Sequence, residues 1–218
     1  MRNRSENQMK KEICAIRVTL IRHGATASNR EGRYIGKTDE TLSEEGIKAL
    51  QQYKGAGKYP AADTLFSSPM KRCLETAQIL YPGQIPMLIQ EWEEMDFGAF
   101  EGHNYKELSS DPRYQQWIDS GGILPFPEGE SREDFIRRSV AGWESMLKNL
   151  SIQNATAIVH GGTIMALLSH FLGGDYFDYQ VKCGQGYTGR LVFTEGMQQP
   201  EWLDWKPLGS EVLLPESR

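Results

Sequence analysis

Residues 17–24 read Arg17-Val18-Thr19-Leu20-Ile21-Arg22-His23-Gly24. A short run of β-branched and aliphatic side chains stops at an arginine, a histidine and a glycine, which predicts a buried strand ending in a polar turn. The pattern returns further along the chain. Asp63–Phe66 is a second apolar run, and Ser68-Pro69 after it reads as an N-cap followed by proline at the first helical position. Residues 85–90 make a third run, leading into Glu91-Trp92-Glu93-Glu94. Ala155–Val159 is a fourth and ends at His160-Gly161-Gly162.

Helical spacing fills the intervals between these runs. Ser43 caps a segment whose first turn carries Glu44 and Glu45, where the helix dipole favours acids. Met70, Cys73, Leu74, Ala77 and Leu80 recur at i, i+3, i+4, i+7 spacing, and Phe135, Ile136, Val140, Trp143 and Leu147 form a stripe over 133–148. A further helix is expected over 163–171, and closing strands over 187–193 and 200–205. Short apolar runs alternating with helices predict an α/β fold. The expectation is a three-layer α/β/α sandwich with a mostly parallel central sheet, one domain spanning 1–218, with residues 1–12 as a tail. From 98 to 131 the periodicity fades and Gly, Pro and aromatic residues accumulate. That segment is read as an irregular or helical lid over the C-terminal edge of the sheet, the part of the chain that contacts substrate.

His23, the turn at Ser68–Arg72, Glu94 and His160 each follow a predicted strand. In open α/β sheets ligands bind outside the carboxyl ends of the strands, so four distant segments are expected to meet in one pocket. Composition narrows what that pocket binds. A net charge of −5 over 218 residues argues against a nucleic-acid surface, and no apolar run is long enough to span a membrane. Cys14, Cys73 and Cys183 are widely spaced and form no CxxC pair, so neither a disulfide framework nor a zinc site is expected. The chain reads as a cytoplasmic protein with no metal and no cofactor.

Leu20-Ile21-Arg22-His23-Gly24-Ala25-Thr26, with Asn29 beyond it, resembles the signature of the histidine phosphatase superfamily, also called phosphoglycerate-mutase-like. The likeness extends through Ser67-Ser68-Pro69-Met70-Lys71-Arg72-Cys73-Leu74-Glu75-Thr76-Ala77, Glu94-Met95-Asp96-Phe97-Gly98 and Val159-His160-Gly161-Gly162. It implies a phosphoryl group carried on His23. The chemistry supports that role independently, since a neutral imidazole is a competent nucleophile near neutral pH. Arg22 and Arg72 offer planar forks for phosphoryl oxygens, His160 a further donor, and Asn29 and Gly161 complete the expected phosphate site. By resemblance the acid is Glu94, three residues before Phe97-Gly98, with Glu93 as a rival. Ser67 and His103 are possible pocket residues.

The segment after Glu94 resembles the phosphatase branch rather than the mutases, and the lid lacks the basic cluster that would hold a second phosphate. Arg33-Tyr34-Ile35-Gly36-Lys37-Thr38-Asp39, the Tyr114–Trp117 pair and Pro127-Glu128-Gly129-Glu130-Ser131 look like the α-ribazole-5′-phosphate phosphatases, although Ile35 stands where several relatives carry glutamine. The expected activity is hydrolysis of a small phosphomonoester. A phosphoglycerate-type mutase and a non-catalytic phospholigand-binding module are the alternatives.

Overall fold

The computed structural model describes residues 12–149, 153–196 and 199–209. Six strands form one sheet: β1 (Glu12–Arg22), β2 (Thr64–Ser67), β3 (Met87–Leu88), β4 (Asn154–Val159), β5 (Gly186–Thr194) and β6 (Glu201–Pro207), in the order β3-β2-β4-β1-β5-β6. β1, β2, β3 and β4 pair in parallel, and β5 and β6 extend the sheet as antiparallel strands. This is the α/β architecture that the alternation of apolar runs and helices predicted.

Side chains alternate across the sheet, as the two-residue repeat of a strand requires. Val18, Leu20, Phe66, Ala157 and Val159 pack with Trp143, Met146, Ile164 and Leu167 of helices α5 (Arg132–Lys148) and α6 (Gly161–Leu172). Ile21, Leu65 and Ile158 face the other way, onto Leu50 of α2 (Glu44–Gly55) and Cys73, Ala77 and Leu80 of α3 (Lys71–Leu80). Both faces are covered, which is why the central strands carry continuous apolar runs. The four-residue helix α1 (Ala27–Arg30) follows the turn after β1, and its cap Thr26 accepts from the backbone of Asn29.

Several expected boundaries move. β1 opens at Glu12, five residues before Arg17, because Cys14–Ile16 pair with Leu191–Phe193 of β5. Residues 1–11 of the expected tail lie outside the described residues. The third strand shrinks to Met87–Leu88; Gln90–Trp92 is a 3-10 turn, and Ile85 is 93 % exposed. α3 begins at Lys71 with Met70 at its N-cap position, so Ser68 is not the cap. Its hydroxyl instead lies 2.8 Å from His160 Nε2.

The lid contains one short α-helix, α4 (Pro112–Asp119), capped by Asp111, and 3-10 turns at Gly98–Phe100 and Glu107–Ser110. Eight residues are too few for a clear helical repeat, and rings supply the packing instead. Phe126 lies edge-to-face on Phe97 at 5.0 Å and 4.9 Å from Trp117, while Phe100 meets Tyr114 at 5.3 Å. Together with Met95, Leu108, Phe135 and Tyr176 they form a third apolar cluster that seats the lid on α5 and α6.

Candidate active site

β1 delivers Arg22 and His23, β2 leads to Ser68, and β4 delivers His160, all at the carboxyl ends of parallel strands. The His23 amide donates to Val159 O at 2.9 Å, tying the end of β1 to the end of β4. His23 is 3 % exposed, and its Nδ1 lies 2.7 Å from Gly24 O. A carbonyl accepts and never donates, so Nδ1 carries the proton and Nε2 keeps a lone pair. Burial, then the charges of Arg72 and Arg22, hold this imidazole well below its ordinary value of 6.5. It is therefore a neutral base at neutral pH.

His160 packs edge-on to His23, with ring centroids 5.2 Å apart. Its Nδ1 accepts from Arg72 Nε at 3.3 Å, which leaves Nε2–H to donate to Ser68 Oγ. Burial and the adjacent Arg72 also depress this ring's basicity. Arg72 is 1 % exposed; its terminal nitrogens donate to Thr38 O at 2.8 Å and Gly36 O at 3.0 Å. Those carbonyls are held in turn by Glu101, whose carboxylate accepts from the amides of Gly36 and Thr38. Arg22 donates one N–H to Val181 O at 2.7 Å, while its Nε is buried without a hydrogen-bond partner. Such a donor in a positive pocket is suited to a phosphoryl oxygen.

Glu94 sits beside the N-terminus of α6. Its Oε1 accepts from Met95 N at 2.9 Å and its Oε2 faces Gly162 N at 3.5 Å. The carboxyl keeps some surface on the cavity, yet enough protein surrounds it that desolvation pushes its pKa up, against the pull of Arg72 and Arg22. Gly162 leaves room for the acid in this position: a Cβ there would fall 2.4 Å from Glu94 Oε1 and displace the carboxylate end. Arg138 fixes the turn that carries the acid, donating to the carbonyls of Glu91, Glu93 and Glu94 at 2.8, 2.7 and 3.0 Å. Both oxygens of Glu130 grip the other side of its guanidinium, at 2.7 and 2.8 Å.

A cavity of about 430 Å³ opens over these groups. Arg22, His23, Asn29, Glu94 and Gly161 line it, so five of the seven residues expected at the site share one wall. Arg72 and His160 do not line it. They pack behind His23, fully buried and bonded to each other. Ser67 is buried with its hydroxyl on Ser68 O, and His103 is exposed with its ring on Glu101 O; neither reaches the cavity. Ile35 does, as apolar wall. A larger groove of about 510 Å³, lined by Arg17, Lys58, Arg190 and Lys206, opens near the start of the β1 core and contains none of these groups.

Several lining residues were not expected from sequence: Tyr34, Arg132, Tyr176 and Gln180. Arg132, immediately after the cap Ser131, carried the only visible signal, as a cation at the positive end of a helix. Among the described residues no three His, Cys, Asp or Glu side chains are grouped to hold a metal ion, and no helix is long and apolar enough to cross a membrane.

Comparison with known proteins gives a consistent picture. The sequence model of the histidine phosphatase superfamily (branch 1) matches residues 18–206. The chain is 28 % identical to an adenosylcobalamin/alpha-ribazole phosphatase of Salmonella typhimurium over 88 % of its own length and all of that protein. It is 29 % identical to a metal-independent phosphoserine phosphatase of Arabidopsis thaliana, over 69 % of this chain and 66 % of the relative. Among solved structures, a phosphoglycerate mutase from Thermus thermophilus is similar with a TM-score of 0.61 at 32 % identity, covering 87 % of this chain and 99 % of that one.

Proposed function

The chain belongs to the histidine phosphatase superfamily, and on that premise we propose that it is a metal-independent phosphomonoesterase working through phospho-His23. The observation that carries this reading is the 2.7 Å contact from His23 Nδ1 to Gly24 O, which leaves a neutral Nε2 lone pair for attack. In the first step Nε2 bonds to phosphorus, the bond to the ester oxygen breaks, and Glu94 delivers its proton to the departing alkoxide. In the second, the Glu94 carboxylate takes a proton from water, the resulting oxygen bonds to phosphorus, and the P–N bond breaks to return neutral His23. A carboxyl with a raised pKa suits both duties. Arg22, Asn29 and Gly161 at the cavity wall stabilise the charge that spreads over the phosphoryl oxygens, and Arg72, buried behind His23 with its bonding partner His160, adds its positive charge from the rear. Donors fixed in place before the reaction usually lower such barriers more than any other single effect.

The substrate is proposed to be α-ribazole-5′-phosphate, an aromatic riboside phosphate of cobalamin assembly. Support comes from the name of the Salmonella relative and from the rings of Tyr34, Phe97, Trp117 and Phe126 in the cavity wall. A cytoplasmic location is part of this proposal, and the free thiols of Cys14, Cys73 and Cys183 are compatible with a reducing compartment. The test is rapid-quench labelling with a ³²P-phosphomonoester. An acid-labile, base-stable phosphoprotein should form on the wild type and be absent from His23→Ala. Full turnover with no trapped label, or an isomeric phosphoester in place of released phosphate, would overturn the reading.

A further inference from the structure

The charged groups in the cavity are unequally matched, and the mismatch describes the other half of the substrate. Three guanidinium groups line it: Arg22, Arg33 and Arg132. Arg22 lies beside His23 in the sequence and serves the phosphoryl end. Arg33 is neutralised by Glu31 at 2.6 Å and by Glu107 at 2.7 Å. Arg132 has no carboxylate partner among the described residues. Its hydrogen bond goes to Gly121 O at 3.1 Å, and its flat face rests on Tyr176 and Phe177 at 4.9 and 5.0 Å.

The position of Arg132 does not serve its own helix. It is the first residue of a 17-residue helix, where the macrodipole disfavours a cation. Stacking holds the plane of the guanidinium but leaves in-plane N–H donors at Nε and Nη1 without acceptors among the described residues. Glu94 is the only acid in the cavity wall among the described residues. An ammonium group on the substrate would find no carboxylate there except the one engaged in proton transfer. The remaining wall is flat and apolar, built from Tyr34, Phe97, Trp117, Leu124 and Phe126.

We infer that Arg132 is a specificity-determining residue, which selects phosphomonoesters whose alcohol half includes a flat aromatic ring, carries a hydrogen-bond acceptor or anionic group and has no ammonium. This rests on the reading of His23 as the phosphoryl acceptor. The acceptor docks on the free edge of Arg132, the ring lies against the aromatic wall, and amino-alcohol phosphates such as O-phospho-L-serine are rejected.

The probes are 4-carboxyphenyl phosphate, phenyl phosphate and O-phospho-L-serine, compared by kcat/KM. The wild type should favour the carboxylated ring over the plain one by about 10- to 100-fold, the discrimination expected of one charged hydrogen bond, with phosphoserine last. In Arg132→Ala that ratio should fall towards one, mainly through KM. Arg132→Lys should restore part of it, a result that mere damage to folding would not produce. Arg113→Ala, which removes a lid cation paired with Asp111 outside the cavity, should leave the ratio as in the wild type. Equal rates on the two aryl esters, a preference that survives Arg132→Ala, or a preference for phosphoserine would each overturn the inference. If the wild type turns over none of the three, calorimetric titration with 4-carboxyphenyl phosphate separates the two ideas. Affinity lost in Arg132→Ala would keep Arg132's role while the hydrolytic reading falls, and affinity unchanged would remove both.

Discussion

Arg138 and Glu130 form a two-pronged ion pair, Nε to Oε1 at 2.7 Å and Nη2 to Oε2 at 2.8 Å, from which the same guanidinium reaches three carbonyls of the turn carrying Glu94. The pair makes no contact with the cavity. It acts on chemistry only by positioning the acid. Arg138→Lys keeps the charge but not the fork, so kcat should fall about tenfold and the alkaline limb of the pH–rate profile should move. Hydrogen bonds to a charged group are worth about 1.5–3 kcal/mol each, and with Arg138 partly solvated a loss near the lower figure is expected in denaturant titration. An unaltered pH profile would remove this positioning role.

Glu94→Gln cannot donate or accept the catalytic proton. On p-nitrophenyl phosphate, whose leaving group needs little help, the first step should survive and phospho-His23 should accumulate. On an alkyl phosphate the first step itself should slow, by about 10²–10⁴-fold. Rapid-quench measurement on both substrates checks this, and equal slowing without accumulation would remove Glu94 as the acid; Glu93, the rival expected from sequence, is exposed and does not line the cavity.

Gly162→Ala would bring a methyl group to within 2.4 Å of Glu94 Oε1. The carboxylate end can rotate away more easily than the helix can shift, so turnover should drop at least tenfold while the melting temperature moves by only a few degrees. Loss of activity matched by a collapse in stability would mean the helix, rather than the carboxylate, gave way.

The histidines make stability depend on pH in a defined direction. Below 6.5 the imidazoles of the unfolded chain take up protons that the buried His23 and His160 refuse. The unfolded state then binds more protons, so stability falls on acidification from about pH 6.5 downward. Each uncoupled proton contributes up to about 1.4 kcal/mol per pH unit. Glu94 works in the opposite sense, because its raised carboxyl holds a proton in the folded chain above the usual carboxylate range. Two rings outweigh one carboxyl, and a His160→Gln variant should show a shallower acid slope in thermal melts. The same depression keeps the acid limb of kcat/KM below pH 6.5, since His23 stays unprotonated there.

Removing Glu101 tests how firmly Arg72 is held from behind. Glu101→Ala frees the amides of Gly36 and Thr38, whose carbonyls take Arg72. Inhibition by inorganic phosphate should weaken about tenfold, with a smaller change in kcat. Unchanged phosphate inhibition would show that Arg72 needs no such backing.

How much of this was legible beforehand depended on range. Arg17–Ile21 and Ala155–Val159 announced themselves because strands covered on both faces must be apolar throughout, and the polar residues ending them marked the pocket. The earlier start of β1 was hidden because Cys14–Ile16 are specified by β5, some 180 residues away in sequence. The shortened third strand had the right residue types but lies at the edge of the sheet, where Met87 and Leu88 are partly exposed and little packing enforces the strand. Ser68 looked like a cap because local pattern cannot tell a hydroxyl that serves its own helix from one that serves His160. The roles of Arg132 and Arg138 were beyond local reading for the same reason, since one depends on the cavity it lines and the other on the distant turn at Glu91–Glu94.

The proton on His23 is directed by the peptide oxygen of its own successor, a group every amino acid possesses. No exchange of a single side chain can delete that acceptor, whereas an orienting aspartate could be lost in one mutation. The nucleophile's tautomer is thereby insulated from mutational drift, and variation is left to act on the residues that choose the substrate.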